Sequence, residues 1–284
     1  MINFALRNLV LFFKDRTAVI LSFLAEFIVV GLYILFIRKN MITSFAQIKG
    51  IELLMDTWMI AGILGITSVT TTMGAYGIMV DDKSRKIERD FITSPIRRFS
   101  LLGGYISSAV IIGLFMSVFL YLLASVYILH MYQVRLGEEQ GIKLFLTLCL
   151  VTISNSSMVL FLVSFLKTSN TLASCCTILG ALIGFLTGIY IPMGNLPQGV
   201  QWLVKCFPVS HAVVLLRQIL MEPLIGESFG SIENREAQIF MEYMGVQYVW
   251  KGNVVMFKDS VIILFVAAGI VLMMTTLKVY CVRE

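Results

Sequence analysis

Residues 80–102 read VDDKSRKIERDFITSPIRRFSLL, and this charged segment lies between two long apolar runs. Ten of its residues are charged, although only 14% of the 284-residue chain is charged and 58% is apolar. Soluble domains carry about 25% charged residues, so this chain cannot cover itself with a polar surface. Its mean hydropathy of +0.89 therefore indicates that much of the chain faces lipid.

The apolar runs are long enough to cross a membrane as α-helices, which takes roughly 20 residues. They lack the polar–apolar alternation of a barrel strand, so we predict an all-α integral membrane protein. A single transmembrane domain is expected over residues 1–284. Its six predicted spans are Thr17 to Ile37, Trp58 to Val80, Leu101 to about Tyr132, Leu144 to Leu166, Thr171 to Ile191 and Ser260 to Tyr280.

The distribution of Lys and Arg predicts the orientation of the chain, because these residues favour the cytoplasmic side of a membrane. They are concentrated in the N-terminus, in the charged segment and at the C-terminus, and they are fewer in the opposite short loops. Both termini and the charged segment are therefore expected in the cytoplasm. The net charge of +5 is modest, and it gives no indication of nucleic-acid binding.

Residues 1–16 lack the short apolar core and the small-residue cleavage site of a signal peptide. They predict instead an amphipathic helix that lies in the membrane interface, and the alternative is a frayed start to the first span. The apolar side would carry Phe4, Leu6, Leu9, Phe12 and Phe13. The polar side would carry Asn3, Arg7 and Lys14.

A second unusual region lies between the fifth and sixth spans, where Pro and Gly divide an apolar stretch into pieces of about a dozen residues. Each piece is too short to span the membrane. We therefore predict a re-entrant outer hairpin over residues 192–221 and a polar outer cap over residues 222–258. The dividing residues are Pro192, Gly194, Pro197, Gly199 and Pro208.

Within the charged segment, a continuous helix would place Asp82 and Lys86, and then Lys86 and Asp90, one turn apart. The same helix would carry Ile87 and Phe91 as a small apolar ridge, and Ser94-Pro95 would end it and begin the next helix. A solvated loop is one interpretation of this segment. A short amphipathic helix that docks into a groove on a partner protein accounts better for the ridge.

Catalytic and metal-binding motifs are absent from the sequence: there is no HExxH, no CxxC and no G-x-x-x-x-G-K-[ST] loop. The two histidines, His130 and His211, are far apart in the chain. The five cysteines form no loop-based disulfide framework. We therefore expect no enzyme activity, no cofactor and no metal site in this chain.

Three motifs, in their order along the chain, resemble the membrane subunit of an ABC-2 type exporter. FFKDRTAVILSFL (12–24) is similar to the connecting helix and the first span of that family. MVDDKSRKIERDFITSPIRRFSLLGGYI (79–106) is similar to its charged coupling segment. GIYIPMGNLP (188–197), followed by FPVSHAVVLLRQIL (207–220), is similar to its re-entrant hairpin. The likeness extends over nearly the whole chain.

The resemblance implies a permease subunit in a bacterial plasma membrane that exports an amphipathic drug, antibiotic, peptide or lipid. It further implies that ATP and Mg are bound by a separate ATPase, with two ATPases and two permease subunits, homodimeric or heterodimeric, in the working unit. The connecting helix would be residues 1–16, including Arg7, Lys14, Asp15 and Arg16. The coupling segment would be residues 81–95, with the contact residues Asp82, Lys83, Arg85, Lys86, Ile87, Glu88, Arg89, Asp90 and Phe91.

Glu26 departs from the family pattern, because it lies near the middle of the first span, where an acid costs roughly 2.5–3.5 kcal/mol. It could join two helices as a neutral group, recognise a cationic substrate or carry protons. Hydroxyl groups in the second span could accompany it on a substrate path: Thr67, Ser68, Thr71 and Thr72. The alternatives to an ATP-driven exporter are a proton-coupled secondary transporter that uses Glu26 and a resistance or sensor subunit that transports nothing.

Overall fold

The computed structural model describes residues 1–93, 98–136, 140–250 and 252–281. This part of the chain is almost entirely helical. Its α-helices are α1 (Ile2–Lys14), α2 (Arg16–Leu32), α3 (Arg38–Ser44), α4 (Ile51–Ser84), α5 (Ile87–Thr93), α6 (Arg98–Tyr132), α7 (Gly141–Ser164), α8 (Ser169–Leu186), α9 (Gln198–Cys206), α10 (Pro208–Phe229), α11 (Arg235–Met244) and α12 (Phe257–Cys281). A π-helical turn (Tyr33–Ile37), a 3-10 turn (Met193–Asn195) and the strands β1 (Tyr248–Trp250) and β2 (Asn253–Val255) complete it.

Six helices of the described part are long and apolar enough to cross a membrane, which confirms an all-α membrane protein with six candidate spans. They are Ile51–Ser84, Phe99–Tyr132, Gly141–Ser164, Ser169–Leu186, Pro208–Phe229 and Phe257–Lys278.

The set differs from the predicted one in two places. It includes Pro208–Phe229, which was predicted to lie in the re-entrant hairpin, and it lacks the predicted first span, because α2 is only 17 residues long. A π-helical turn at Tyr33–Ile37 separates it from α3. The three pieces nevertheless follow one another without a gap from Arg16 to Ser44, which is roughly 40 Å of helix and enough to cross the hydrocarbon core.

Helix α4 is the centre of the bundle. It is 34 residues long, and most of its side chains are buried, including Trp58 and Tyr76. It packs against α6, α7 and α10. Gly65 allows a close approach of α10, because a Cβ atom at this position would collide with the side chain of Val213 in α10. The buried α4 therefore positions the polar groups of the sites described below.

Large apolar side chains cover the outside of the bundle, which a water-soluble protein of this size would not expose so extensively. They occur on helices that enclose α4 and include Phe27, Ile28, Phe115, Val126, Ile262 and Phe265. Such a surface is suited to lipid or to a second membrane subunit.

The predicted re-entrant region contains a short helix and a long one. Helix α9 has 9 residues, and Pro208 then occupies the first turn of α10, where its missing N–H costs no hydrogen bond. The predicted interruption at Pro208 is therefore present, but the prediction of pieces of a dozen residues was wrong for α10. This helix has 22 residues and extends past residue 221 to Phe229. Its buried apolar side chains, such as Val213 and Leu216, stabilise the longer helix despite Pro223 in its interior.

Helix α11 and the antiparallel β1–β2 ribbon lie within the predicted outer cap, and we call these two elements the cap. Tyr248 pairs with Val255 in the ribbon, and the Asn234 side chain caps the start of α11. Trp58 of α4 and Arg217 of α10 both donate to the Met244 carbonyl, which connects the cap to these two helices. We use "the cap end" and "the α1 end" for the two ends of α4, near Asp56 and Asp82 respectively.

The predicted orientation can be tested by labelling cysteines introduced into a cysteine-free chain. Ser231→Cys at the cap end should react with a membrane-impermeant thiol reagent added to intact cells, and Ser84→Cys at the α1 end should react only after permeabilisation. Both serines belong to residues exposed in the structure. Labelling of Ser231→Cys from the cytoplasmic side alone would reverse the predicted topology.

Candidate functional site

At the α1 end, a buried ion pair joins α1 to α4. Both guanidinium nitrogens of Arg7 donate to the Asp82 carboxylate at 2.8 Å, and the Tyr105 hydroxyl of α6 donates to the same carboxylate at 2.6 Å. Asp82 is only 3% exposed. The hydrogen bonds to Asp82 raise the pKa of Arg7 above its ordinary value. Because the pairing is bidentate, it fixes the orientation of α1 as well as its position.

Aromatic rings surround this ion pair and connect it to α5. The Phe4 ring lies 5.1 Å from Phe91 and 4.9 Å from Tyr105, both edge to face. The Arg7 guanidinium lies 5.2 Å from the centre of the Phe91 ring. Gly104 makes room for Phe4, because a Cβ atom there would collide with its ring. The connecting and coupling segments of the sequence prediction therefore pack directly on each other.

The predicted continuous charged helix was wrong. Helix α4 ends at Ser84, Lys86 has a φ of 63°, and α5 begins at Ile87. A residue in this left-handed conformation turns the chain out of the helix. Asp82 therefore lies in α4 and Asp90 in α5, and Lys86, between the two helices, is not one helical turn from either acid. Asp82 pairs with Arg7 instead.

The other predicted coupling residues differ in their exposure. Lys83, Ile87, Glu88 and Phe91 are half-buried, whereas Arg85, Lys86 and Asp90 are exposed. The exposed Arg85 forms an ion pair with Asp81 at 2.9 Å. Lys14, Asp15 and Arg16 are exposed where α1 meets α2. The Arg89 side chain and the predicted Ser94-Pro95 cap lie outside the described residues.

A second feature is a cavity of about 230 Å³ between α2, α4 and α6. Glu26 lines it and is 4% exposed, and neither of its carboxylate oxygens has a hydrogen-bond partner among the described residues. Thr67 of α4 interacts with Glu26, but its hydroxyl donates its hydrogen to the Ile63 carbonyl at 2.8 Å. Along α4, Thr67 lies about 16 Å from Asp56 and about 22 Å from Asp82, which places Glu26 near the middle of the bundle.

Asp56 lines the same cavity toward the cap end, and sequence reasoning missed it. Arg38 pairs with it at 2.8 Å, and hydroxyl groups of Tyr132, Tyr33 and Tyr127 donate to it at 2.6, 3.0 and 3.2 Å. The sequence did contain a signal for this pair. Asp56 lies just before the second predicted span and Arg38 just after the first, and such residues are neighbours when the two spans pack antiparallel.

The predicted hydroxyl set of α4 is buried but serves its own helix and α7. Thr67, Thr71 and Thr72 each donate to a carbonyl one turn earlier in α4, and Ser68 accepts a hydrogen bond of 2.6 Å from Asn155. None of them is among the residues that line the cavity. This arrangement is a packing surface, in which Asn155 bonds α7 to α4.

A third polar feature, also missed, is Arg217 in α10. Its side chain is 1% exposed and donates to the carbonyls of Gly188, Gly245 and Met244 at 2.9, 3.2 and 3.3 Å. Its guanidinium lies 4.6 Å from the centre of the Trp58 ring. The residue therefore ties α4, α10 and the turn after α8 to the cap. An arginine within an otherwise apolar run was the signal.

The hairpin residues pack toward the cap. Gly194 lies against Tyr243 of α11, and the Tyr243 hydroxyl donates to the Asn195 side chain at 2.7 Å. Gly194 and Asn195 belong to the 3-10 turn, and Pro192 and Pro197 flank this turn. His211 hydrogen-bonds Ser260 at 3.1 Å and the Lys205 carbonyl at 2.9 Å. In the described part of the chain, no group of three or more His, Cys, Asp or Glu side chains is placed to hold a metal.

A helical bundle with six candidate spans, a buried ion-paired junction at one end and an acid-bearing cavity at mid-depth has the character of a membrane permease. A sequence model described as "ABC-2 type transporter" matches residues 4–221, and the chain belongs to this family. Members of this family are membrane permeases that generally work with an ABC ATPase, and the family is not a catalytic one. No curated protein matches the chain.

Proposed function

We propose that this chain is the permease subunit of an ATP-driven exporter of amphipathic compounds. The observation that carries the proposal is the junction of α1, α4 and α5, where the Arg7–Asp82 ion pair and the Phe4–Phe91 contact join the segments predicted to meet an ATPase. A displacement of α5 would be transmitted to α1 and α4 through these contacts. Coupling of this kind biases two conformations of the permease, and the nucleotide cycle supplies the difference in free energy.

In this proposal ATP and Mg are bound by a separate ATPase, and two ATPases act with two permease subunits in a bacterial plasma membrane. The exposed charges at the α1 end, Arg85, Lys86 and Asp90, form the part of the junction that a soluble partner can reach. Phe91 packs against Phe4 and Arg7, so its role is to hold α5 on α1. The half-buried Ile87 is the apolar residue of α5 that a partner groove could take up.

Partnership can be tested by co-expressing this chain with ABC ATPases from the same genome and measuring which of them co-purifies with it. The change Ile87→Asp, combined with Asp90→Lys, places a charge in the docking contact and reverses another, so ATPase recovery should fall at least tenfold. Membrane insertion should not change, because neither side chain is in the bundle core. The control is the matched pair Ile239→Asp and Glu242→Lys, exposed on α11 at the cap end, which should leave recovery unchanged.

Full recovery of the ATPase with the Ile87/Asp90 variant would contradict docking at α5. Transport in sealed vesicles separates this proposal from a proton-coupled transporter: export should require ATP and proceed without a pH gradient. A chain that binds its ATPase but moves no compound under any condition would instead be a sensor subunit.

A further inference from the structure

The cavity between α2, α4 and α6 contains one acid whose charge nothing in the described protein compensates. Glu26 is 4% exposed, and both carboxylate oxygens lack a hydrogen-bond partner among the described residues. If Glu26 joined two helices, its carboxyl would have to bond a neighbouring helix. The hydroxyl of Thr67, which interacts with Glu26, donates its hydrogen to the Ile63 carbonyl of its own helix. An acid kept at this depth is costly, and such residues commonly face a cavity or a partner of opposite charge.

The second acid of the cavity is already satisfied. Asp56 is paired with Arg38 and accepts hydrogen bonds from the hydroxyl groups of Tyr33, Tyr127 and Tyr132. One positive charge in the protein therefore balances one of the two carboxylates. The cavity retains a capacity for a single additional cation, located at Glu26.

The rest of the lining selects the body of that cation. Apolar and aromatic side chains line the space, including Tyr33, Met59, Leu120 and Tyr127. The exposed Phe27, on the outer surface of the bundle, is also part of the lining. Aromatic faces attract onium groups, and this attraction is largest where water is excluded. An inorganic ion would leave the apolar lining unused, and a neutral compound would leave the acid unpaired.

We propose that this cavity binds an amphipathic monovalent cation, with its ammonium or other onium group beside Glu26 and its apolar body among the aromatic side chains. This compound class is also what the permease transports, a part of the inference that rests on the proposed function. The volume of about 230 Å³ suits a compact cation or the charged end of a longer one.

Binding can be measured without the ATPase. The purified chain in nanodiscs is dialysed to equilibrium with benzyltrimethylammonium, and empty nanodiscs correct for partition into lipid. We expect saturable binding that Glu26→Gln, which keeps the shape and removes the charge, weakens at least tenfold. Glu26→Asp should retain part of the affinity. The control Glu236→Gln, an exposed acid on α11, should bind as the unmodified chain does.

The class of ligand is tested with a neutral isostere. Neopentylbenzene has the same shape as benzyltrimethylammonium and carries no charge, so it should compete poorly for the site. Equal competition by this compound, or unchanged affinity in Glu26→Gln, would overturn the cation site.

The proposed exporter and the cation site fail in different ways. If the unmodified chain co-purified with no ABC ATPase but still bound the cation, the exporter would be removed and the site would stand. ATP-driven export of benzyltrimethylammonium that survives Glu26→Gln, while binding is lost, would show that the cavity is not on the transport path. That result would overturn the assignment of the substrate class.

Discussion

Replacing Arg7 with Ala is expected to lower the free energy of unfolding by about 3 kcal/mol, the low end for removing one partner of a buried ion pair. Asp82 is 3% exposed, so loss of Arg7 leaves its carboxylate poorly solvated, with the Tyr105 hydroxyl as its remaining side-chain hydrogen bond among the described residues. The low end is appropriate because the Arg7 side chain is 31% exposed. Detergent-induced unfolding in a mixed micelle measures the change.

A second substitution separates a lost contact from a stranded charge. Adding Asp82→Asn to Arg7→Ala removes the uncompensated carboxylate, and the amide oxygen still accepts a hydrogen bond from Tyr105. We therefore expect the double variant to regain more than half of the free energy of unfolding that Arg7→Ala loses. The matched control is Arg85→Ala, which breaks the ion pair with Asp81. That pair is 69% and 44% exposed, and exposed pairs contribute only about 0–1 kcal/mol. Equal losses in Arg7→Ala and Arg85→Ala would contradict a structural role for the buried pair.

The same ion pair shows where sequence reasoning ends. The amphipathic pattern of residues 1–16 predicted a helix, and α1 occupies Ile2–Lys14. Its buried side, however, carries Phe4, Asn8 and Phe12, while Leu6 and Phe13 are exposed. A helical period indicates which residues share a face, but the partner of that face lies elsewhere in the chain. Arg7 and Asp82 are 75 residues apart, and no local spacing connects them.

The break at Lys86 had a different cause. Opposite charges at i and i+4 stabilise an exposed helix by only about 0.2–0.5 kcal/mol per pair. The edge-to-face contact of Phe91 with Phe4 is a larger contribution, at about 0.5–1.5 kcal/mol, and the Arg7 guanidinium also lies over the Phe91 ring. Both contacts require α5 to turn toward α1. Long-range contacts therefore override the local pattern, and Lys86 adopts a φ of 63°.

The residues of the candidate site also include some that local sequence indicated and some that only long-range contacts reveal. Glu26 was found from the sequence, because an acid in an apolar run is conspicuous whatever surrounds it. Asp56 and Arg217 were missed, because their roles depend on which helices meet. Asp56 lies near one end of α4 and Asp82 near the other, roughly 39 Å apart, and each is paired with an arginine from another segment. A single buried helix thus bears an ion pair at both ends and the Glu26 cavity between them, which links the coupling end to the cap end.

Replacing Arg217 with Met is expected to release the cap with little change in global stability. A buried arginine without an acid partner in the described part of the chain is costly to desolvate, and Met removes that cost while it fills much of the same space. The cap loses two hydrogen bonds, however, from the guanidinium to the Gly245 and Met244 carbonyls. At about 1.5 kcal/mol for each bond to a charged group, local opening should become easier by about 3 kcal/mol. Amide exchange in α11 and the β1–β2 ribbon should then be more than a hundredfold faster.

Two variants define what Arg217 contributes. Arg217→Lys keeps the charge but lacks the planar fork that spans several carbonyls and stacks on Trp58, so exchange in the cap should lie between the unmodified chain and Arg217→Met. Arg235→Met removes an exposed arginine from the first turn of α11 and should leave cap exchange unchanged. Exchange in α1 should not respond to any of these variants, because its Arg7 contacts Asp82 at the other end of α4. Unaltered protection of the cap in Arg217→Met would show that Trp58, whose indole N–H donates to Met244 at 2.8 Å, holds the cap without the arginine.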